Sequence, residues 1–155
     1  MKPIKSILCP VDFSSCSEAA LDYAIYLAQI LDAKLKVLHV YWTVPSYAGI
    51  DPSAVFVSGD ESLPAYTERM AERDLAAMLK HRDTPSRQPI LRELQAGEPT
   101  DVILEVARND HTDLIVIGTH GRGGLSRMLM GSVAEKIVRS AVCPVLTLHG
   151  TEKQS

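Results

Sequence analysis

The sequence has 155 residues, of which 46% are hydrophobic and 23% are charged, and its formal net charge at pH 7 is −3. This length allows one domain with a hydrophobic core and excludes two ordinary domains, and the proportions exclude a disordered or fibrous chain. The negative net charge, without a stripe of Lys and Arg, argues against nucleic acid as a partner.

Hydrophobic periodicity predicts five β-strands that alternate with four helices. Short β-branched apolar runs indicate the strands, and apolar residues at helical spacing indicate the helices. In chain order the predicted strands cover residues 6–11, 35–41, 90–95, 114–118 and 145–149, and the predicted helices cover 16–32, 63–81, a segment that opens at 97–99, and 132–140. Arg92 and Glu93 interrupt the third strand, which favours a position at the edge of a sheet.

Three local patterns add detail to these elements. Ser15 and Glu18 have the S-x-x-E spacing of a capping box at the start of the first helix. Residues 43–60 form a longer loop than α/β units normally use, and their apolar side chains suggest that the loop folds over a neighbouring site or subunit. Met70 and Met78 belong to the apolar stripe of the second helix, which we interpret as core packing.

Alternation of strands and helices predicts an α/β fold in which βαβ units wind into a parallel sheet with helices on both faces. The two polar turns that could form a site follow the first and fourth strands. Open α/β sheets bind ligands where the strand order reverses, so an order of 3-2-1-4-5 would make these two strands neighbours at that point. We therefore predict an open five-stranded parallel sheet in a single domain over residues 1–150, followed by a frayed polar tail at 151–155.

The last predicted strand, Val145 to His149, lies at a sheet edge in this order. It carries no charge, bulge or internal proline that would discourage pairing with another strand. A two-fold copy of the same strand is the closed arrangement that protects such an edge, so we expect a homodimer. The alternative is a monomer in which the loop at 43–60 or the C-terminal tail covers the edge.

The segment from the fourth strand to the last helix has the layout strand, glycine-rich loop, helix start. Glycines let the backbone approach a ligand closely, and the free N–H groups and dipole of a helix N-terminus favour a phosphate. A P-loop is excluded because Met130 and Gly131, and no lysine, precede Ser132. The dinucleotide fingerprint is excluded because this loop follows the fourth strand and not the first.

The spacing that remains is Gly118, two residues, Gly121, nine residues, then Gly131 and Ser132. It resembles the ATP-binding signature of the universal stress protein family. The likeness extends over 117–121, 131–133, 143–145 and 7–14, and so covers nearly the whole chain. The resemblance implies a Rossmann-like fold of the adenine nucleotide alpha hydrolase type, ATP or its relatives AMP and ADP as ligand together with Mg²⁺, and a dimer through the last strand.

The resemblance also implies which residues bind the nucleotide. Asp12 would read the ribose or the adenine, although its position alone fits a turn residue at a helix entry equally well. Pro10 and Val11 would supply backbone near the adenine, and Val40 would line the same pocket, whereas His39 is interpreted as a satisfied, half-buried histidine. The full predicted set is Pro10, Val11, Asp12, Val40, Ile117, Gly118, Thr119, His120, Gly121, Arg122, Arg127, Gly131, Ser132 and Val133.

Catalysis is not expected from this set. A hydrolase or kinase needs a base and carboxylates that hold Mg²⁺, and residues 118–132 contain no Asp or Glu, so that Asp12 is the acid expected nearby. The family is regarded as nucleotide-binding regulators of the stress response with little or no turnover, acting on protein partners that the sequence does not name. The alternatives are a slow ATPase or phosphotransferase, and a dimeric interaction scaffold that works without nucleotide.

Targeting signals and cysteines indicate the compartment. The first residues do not form a signal peptide, and no uncharged stretch reaches the roughly 20 residues that span a bilayer, so no membrane partner is expected. Cys9, Cys16 and Cys143 have no C-x-x-C pair and no histidine at metal spacing, which predicts reduced thiols and no metal site. Cys16 is the thiol that a helix start would make oxidisable. We therefore expect a cytoplasmic protein.

Overall fold

The computed structural model of the protein describes residues 3–42, 51–82, 89–120 and 130–149. The elements, numbered in chain order, are β1 (Ser6–Val11), α1 (Ser15–Leu31), β2 (Lys34–Tyr41), a 3-10 helix (Pro52–Ala54), β3 (Phe56–Ser58), β4 (Glu61–Ser62), α2 (Leu63–Leu79), β5 (Leu91–Ala96), α3 (Pro99–Asn109), β6 (Leu114–Gly118), α4 (Ser132–Ser140) and β7 (Val145–Leu148). Among these helices none has the length and apolar character needed to cross a membrane.

Five of the strands form one parallel sheet in the order β5-β2-β1-β6-β7. Counted over this sheet alone, the order is 3-2-1-4-5, so the predicted topology and the single α/β domain are confirmed. β1 lies at the centre, and Ile7, Leu8 and Cys9 are almost completely buried because helices cover both faces of the sheet. The strand order reverses between β1 and β6, as predicted.

Two hydrophobic cores fill the spaces on the two faces of the sheet. Ile7 and Cys9 of β1 point to one face, where they pack with α1 and α2, whereas Leu8 points to the other face, where it packs with α3 and α4. This division follows from the two-residue period of a strand. Both cores hold the strand ends in fixed positions, which determines where the polar turns after β1 and β6 meet.

A short hairpin occupies part of the segment that was predicted to be a loop. β3 and β4 pair in antiparallel fashion, with Phe56 opposite Ser62, and Gly59 makes the turn between them at a φ of 57°. The hairpin packs against α2, where Leu63 N–H donates to the carbonyl of Val55 over 2.7 Å. Strands of two or three residues are too short for a detectable alternation, so the sequence did not indicate them. Residues 43–50 lie outside the described part of the chain.

Several boundaries differ from the predicted ones by one or two residues; α2, for example, ends at Leu79 and not at 81, and β5 covers Leu91–Ala96 and not 90–95. α1 is capped by Ser14 and not by Ser15, because the Ser14 hydroxyl accepts a hydrogen bond from the Ser17 N–H over 3.2 Å, so the predicted capping box is wrong by one residue. β7 ends at Leu148, one residue before the predicted end. β5 lies at a sheet edge, as Arg92 and Glu93 indicated, and Glu93 forms an ion pair there with Lys36 of β2.

Candidate functional site

A cavity of about 560 Å³ lies beyond the carboxyl ends of β1, β2 and β6. Its walls come from the turn after β1, the end of β2, one face of α2, the start of α3, the end of β6 and the start of α4. The volume falls in the range of roughly 300–1,000 Å³ that is typical of small-molecule sites. The position is the one that open α/β sheets use for ligands, since the strand order reverses there.

Every predicted site residue that the structure describes lines this cavity. These residues are Pro10, Val11, Asp12, Val40, Ile117, Gly118, Thr119, His120, Gly131, Ser132 and Val133. The other predicted residues, Gly121, Arg122 and Arg127, lie outside the described residues. The residues predicted from the sequence therefore meet in one cavity, although some of them are more than one hundred residues apart in the chain. Their contact with a nucleotide stays a prediction.

Asp12 organises the turn between β1 and α1. Its Oδ1 accepts hydrogen bonds from the backbone N–H of Ser14 over 3.0 Å and from the Ser14 hydroxyl over 2.6 Å. Phe13, between them, has a φ of 64°, a left-handed conformation that non-glycine residues seldom adopt. The turn role that the sequence left open is therefore present, and Asp12 also lines the cavity.

His39 anchors the ends of β1 and β2 to each other. Its Nδ1 lies 2.8 Å from the carbonyl oxygen of Val11, and its ring centroid lies 4.3 Å from that of Phe13. The side chain is buried, and a neutral ring with a hydrogen on Nδ1 donates to this carbonyl. His39 is thus a satisfied structural histidine, as interpreted from the sequence, and it supports the wall that Val40 continues.

Gly118 has a packing reason that is independent of any ligand. A Cβ at this position would lie 2.8 Å from the carbonyl carbon of Cys16 and 2.9 Å from both the Cys16 oxygen and the Ser17 nitrogen. Only a glycine allows the end of β6 to approach the backbone of α1 this closely. The first turn of α1 is therefore held beside the cavity by Gly118.

The start of α4 forms the wall next to β6. Gly131 donates its N–H to the carbonyl of Thr119 over 2.7 Å, which fixes the point where the chain returns from the glycine-rich segment. Gly131 is the N-cap of α4, and no side chain caps the helix. Ser132, Val133 and Ala134 line the cavity with the first turn of α4. The backbone N–H groups of a first turn have no partner within the helix, so they suit an anionic group.

Thr119 connects the cavity to the end of β7. Its hydroxyl lies 2.9 Å from Nδ1 of His120, 3.0 Å from Nδ1 of His149 and 3.2 Å from the carbonyl oxygen of Leu148. The Thr119 N–H also donates to Leu148 over 2.8 Å. Within the described part of the chain, Nε2 of His120 is buried and has no hydrogen-bond partner. The sequence predicted Thr119 and His120 as site residues but did not indicate the link to His149.

One face of α2 lines the cavity, which the sequence did not predict. Thr67, Met70 and Asp74 lie on this face, so the interpretation of Met70 as a core residue is wrong. Asp74 lines the cavity as well as Asp12, so the expectation that Asp12 is the acid near the nucleotide site is corrected. The spacing of these residues by three and four positions places them on one side of a helix and was the signal available in the sequence.

Aromatic side chains close the wall at the end of β2. Tyr41 and Trp42 both line the cavity. Trp42 is the single tryptophan of the chain, and its exposed fraction of 65% is unusually high for a tryptophan. Burial, together with the nearby carboxylate of Glu68, raises the pKa of Tyr41, so its hydroxyl keeps its proton at neutral pH. Apolar and aromatic walls with a few polar groups suit a ligand that has a flat ring and a polar tail.

The charged groups of the cavity are already engaged within the protein. Asp74 Oδ1 accepts from Nε of Arg73 over 3.1 Å and from Nη2 over 2.9 Å, and Asp12 holds the turn described above. Across the residues that the structure describes, no group of three or more His, Cys, Asp or Glu side chains is placed to hold a metal ion.

The three cysteines form no disulfide, and Cys9 and Cys16 are buried. Cys16 lies in the first turn of α1, as predicted, but its burial limits access by oxidants. Burial raises the pKa of Cys9 and of Cys143, so both thiols stay protonated at neutral pH. The cysteines thus act as small apolar side chains.

The sequence model of one protein family, described as the universal stress protein family, matches residues 3–149. A universal stress protein of Methanocaldococcus jannaschii is 32% identical over 152 residues, which cover 97% of this chain and 85% of the relative. A universal stress protein of Thermus aquaticus is 35% identical over 145 residues, which cover 94% of this chain and 98% of the relative.

Solved structures share the fold. A universal stress protein in complex with cAMP has a TM-score of 0.61 at 24% identity, and the match covers 97% of this chain and all of that one. A universal stress protein family protein from Arabidopsis thaliana with AMP bound has a TM-score of 0.60 at 18% identity, and the match covers 97% of this chain and 94% of that one. At these low identities the structures show the fold alone.

Proposed function

Because this chain belongs to the universal stress protein family, we propose that its cavity binds an adenine nucleotide and that the bound nucleotide is a regulatory ligand with little or no turnover. ATP is the proposed ligand, with AMP and ADP as related occupants. The observation that carries the proposal is the meeting of the turn after β1 with the uncapped start of α4 at the reversal of the strand order. These features supply the polar end of the cavity, and apolar side chains of β2, α2 and α3 supply the other end.

The start of α4 suits the phosphates. Its first turn has no side-chain cap, and Ser132 adds a hydroxyl at the first position of the helix. The bond from Gly131 to Thr119 fixes this turn relative to the end of β6. Free N–H groups and the helix dipole together favour a negative group at such a position. The phosphate tail of the nucleotide is therefore placed between β6 and α4 in this proposal.

The walls at β1, β2, α2 and α3 suit the base. Val40, Met70 and Ile103 offer apolar surface around a space that lies next to the backbone of Pro10 and Val11. Binding of a flat adenine ring removes such surface from water, which contributes roughly 25 cal/mol of favourable free energy per Å² of apolar surface. Two structures of the same fold hold cAMP and AMP, which supports adenine as the base in this proposal.

Slow turnover is proposed because the carboxylates of the cavity have other roles. Asp12 holds the turn before α1, and Asp74 pairs with Arg73. Residues 118–132 contain no acidic side chain. Magnesium binds with one or two carboxylates and the substrate phosphates, so Mg²⁺ in this proposal is held chiefly by the nucleotide. A slow ATPase or phosphotransferase is the second candidate, since Asp74 adds an acid that the sequence alone did not place there.

A homodimer through β7 is also part of the proposal. β7 lies at the sheet edge, and Val142, just before it, is 70% exposed. The hairpin β3–β4 packs on α2, which contacts β2 and β5 on the other side of the sheet, so this part of the 43–60 segment leaves the β7 edge open. An edge that the described hairpin leaves open favours a second copy of the strand over the monomer in this proposal. Three cysteines without a disulfide support a reducing compartment such as the cytoplasm.

Fluorescence titration tests nucleotide binding, because Trp42 is the single tryptophan and lines the cavity. ATP, ADP and AMP are expected to change its emission to saturation. Val40→Phe fills the cavity and is expected to weaken binding by about tenfold or more. Val138→Phe, on the exposed side of α4, is the matched control and is expected to bind like the wild type. Equal affinity for both variants would contradict the placement of the base.

A further inference from the structure

The cavity extends over both faces of the sheet at the end of β2. Side chains alternate between the two faces along a strand, and Val40 packs in the core that α3 and α4 cover. His39 and Tyr41 therefore point to the opposite face, which α1 and α2 cover. Their contacts agree with this direction. The His39 ring lies against Phe13, which packs on the α1 and α2 core, and burial together with the nearby carboxylate of Glu68 on α2 raises the pKa of Tyr41.

We call the part of the cavity on this face the α2 pocket. Its side chains are Phe13, His39, Tyr41, Thr67, Met70 and Asp74. The three from α2 are spaced by three and four positions, so they share one side of the helix. The proposed nucleotide lies on the other face, where Val40 and Ile103 surround the base and α4 begins. In that proposal the nucleotide shares Met70 with the α2 pocket and contacts none of its other side chains.

The polar groups of the α2 pocket present acceptors to a ligand. Asp74 accepts two hydrogen bonds from Arg73, and both go to its Oδ1, over 3.1 and 2.9 Å. Within the described part of the chain, no donor bonds to its Oδ2. The Thr67 hydroxyl gives its single hydrogen to the carbonyl of Leu63 over 2.9 Å, so it can only accept from a ligand. A ligand that fits these groups has to supply the hydrogens.

Charge narrows the choice of ligand. Among the described residues that line the cavity there is no lysine or arginine, and the acidic ones are Asp12 and Asp74. The α2 wall begins at Thr67, beyond the first turn whose N–H groups would suit a phosphate. The described residues also place no group of three or more His, Cys, Asp or Glu side chains around a metal ion. The charged ligand that suits one carboxylate is a monovalent organic cation.

We propose that the α2 pocket binds a small organic cation, a primary ammonium group on an apolar stem, and that Oδ2 of Asp74 accepts a hydrogen bond from the ammonium. The side chain of Asp74 is 40% exposed, so a ligand can reach its carboxylate. An ammonium group has three hydrogens and no lone pair, and its bond to a carboxylate is charge-assisted. The stem packs on Met70 and on the ring of Tyr41, which removes apolar surface from water. This inference goes beyond the proposed function and does not depend on the nucleotide.

The test compares two probes on three proteins by NMR titration of nitrogen-labelled, nucleotide-free protein. Phenethylamine carries an ammonium at neutral pH, and phenethyl alcohol has the same stem with a neutral hydroxyl. The wild type is expected to bind the amine about 5- to 50-fold more tightly than the alcohol, because an ionised donor bonds more strongly to a partly exposed carboxylate. Asp74→Asn keeps the size of the side chain and removes its charge, so the two probes are expected to bind it within about twofold of each other.

Glu72→Gln is the matched control. It removes the same charge from an exposed position of α2 that does not line the cavity. This variant is expected to keep the preference of the wild type for the amine. Equal binding of the two probes to the wild type, or binding of neither, would overturn the cation site. The same preference in Asp74→Asn as in the wild type would overturn the role of Asp74.

The same spectra locate the amine on the wild-type protein without the use of a variant. The backbone amide signals of Thr67 and Asp74 are expected to shift more than those of Ser132 and Val133 at the start of α4. Larger shifts at Ser132 and Val133 would place the amine in the nucleotide part of the cavity and overturn the proposal. Failure of every adenine nucleotide to bind would overturn the proposed function and leave this site intact.

Discussion

The backbone of Gly118 at the end of β6 lies against the first turn of α1, so that an added Cβ would come within 2.8 Å of the Cys16 carbonyl carbon. This contact joins the two elements that carry the polar turns of the cavity. We predict that Gly118→Ala lowers the free energy of unfolding by about 1–3 kcal/mol, because the backbone of α1 must shift to accept the methyl group.

Urea denaturation of Gly118→Ala checks this prediction. Ser15→Ala, an exposed residue in the same turn of α1, serves as the control and is expected to change the stability by less than about 0.5 kcal/mol. A Gly118→Ala protein as stable as the wild type would show that the close approach is not required by the fold.

The two roles of Asp12 can be separated by two substitutions. Asp12→Asn keeps an oxygen that accepts from Ser14, so we predict a nearly unchanged stability. Its affinity for ATP should be weaker, because a neutral amide oxygen accepts a weaker hydrogen bond from a ribose hydroxyl than a carboxylate does. Asp12→Ala removes the acceptor and should lower the unfolding free energy by about 1 kcal/mol. Thermal unfolding and calorimetric titration measure the two effects. Full affinity in Asp12→Asn would leave Asp12 with the turn role alone.

The register of β6 and β7 indicates which residue of β7 faces a second subunit. Ile115 and Thr119 donate to the carbonyls of Pro144 and Leu148, so the even-numbered residues of β7 bond to β6 and Thr147 directs its N–H outward. We predict that Thr147→Pro gives a folded monomer, because it removes a donor from the open edge. Proline at Leu146 would instead break the bonds to β6.

Light scattering of the native proteins measures this effect. The wild type and Thr147→Val, which keeps the N–H group, are expected to have the mass of a dimer at micromolar concentration, and Thr147→Pro the mass of a monomer. A wild-type monomer would favour the alternative in which another segment of the chain covers the edge.

Lys36 links two acidic side chains, Glu93 on β5 and Asp110 after α3. Burial by itself raises the pKa of Glu93, but hydrogen bonds from Lys36 and Gln95 outweigh it and hold that pKa below its ordinary value. A carboxyl with a lowered folded-state pKa stabilises the fold above its unfolded pKa of roughly 4.3, and the contribution is lost as the pH falls through the folded pKa. We predict that Lys36→Met costs about 1–2 kcal/mol at pH 7 and much less at a pH of about 3.

Denaturant unfolding at both pH values gives the comparison. Lys34→Met, at an exposed position of the same strand, is the control and should show little change at either pH. The same loss for Lys36→Met at neutral and acidic pH would mean that packing of the lysine stem, and not its charge, supports this edge.

The sequence predicted the sheet order and the place of the cavity because long buried strands and glycine spacing are strong signals. It did not predict the hairpin, whose strands are too short for periodicity, or the cap at Ser14, which depends on the turn that Asp12 holds. It also assigned Met70 to the core, since an apolar stripe does not show whether it faces the sheet or a cavity. The link from His120 to His149 depends on tertiary contact, which single residues do not reveal.

Nucleotide content of the freshly purified protein tests the central claim most directly. Denaturing the protein and chromatographing the supernatant shows any nucleotide carried through purification, and calorimetry of the stripped protein then measures binding. We predict either a released adenine nucleotide or saturable binding of ATP, ADP or AMP in the presence of Mg²⁺. An empty supernatant together with no heat from any of these nucleotides would contradict the account and favour a dimeric scaffold that works without nucleotide.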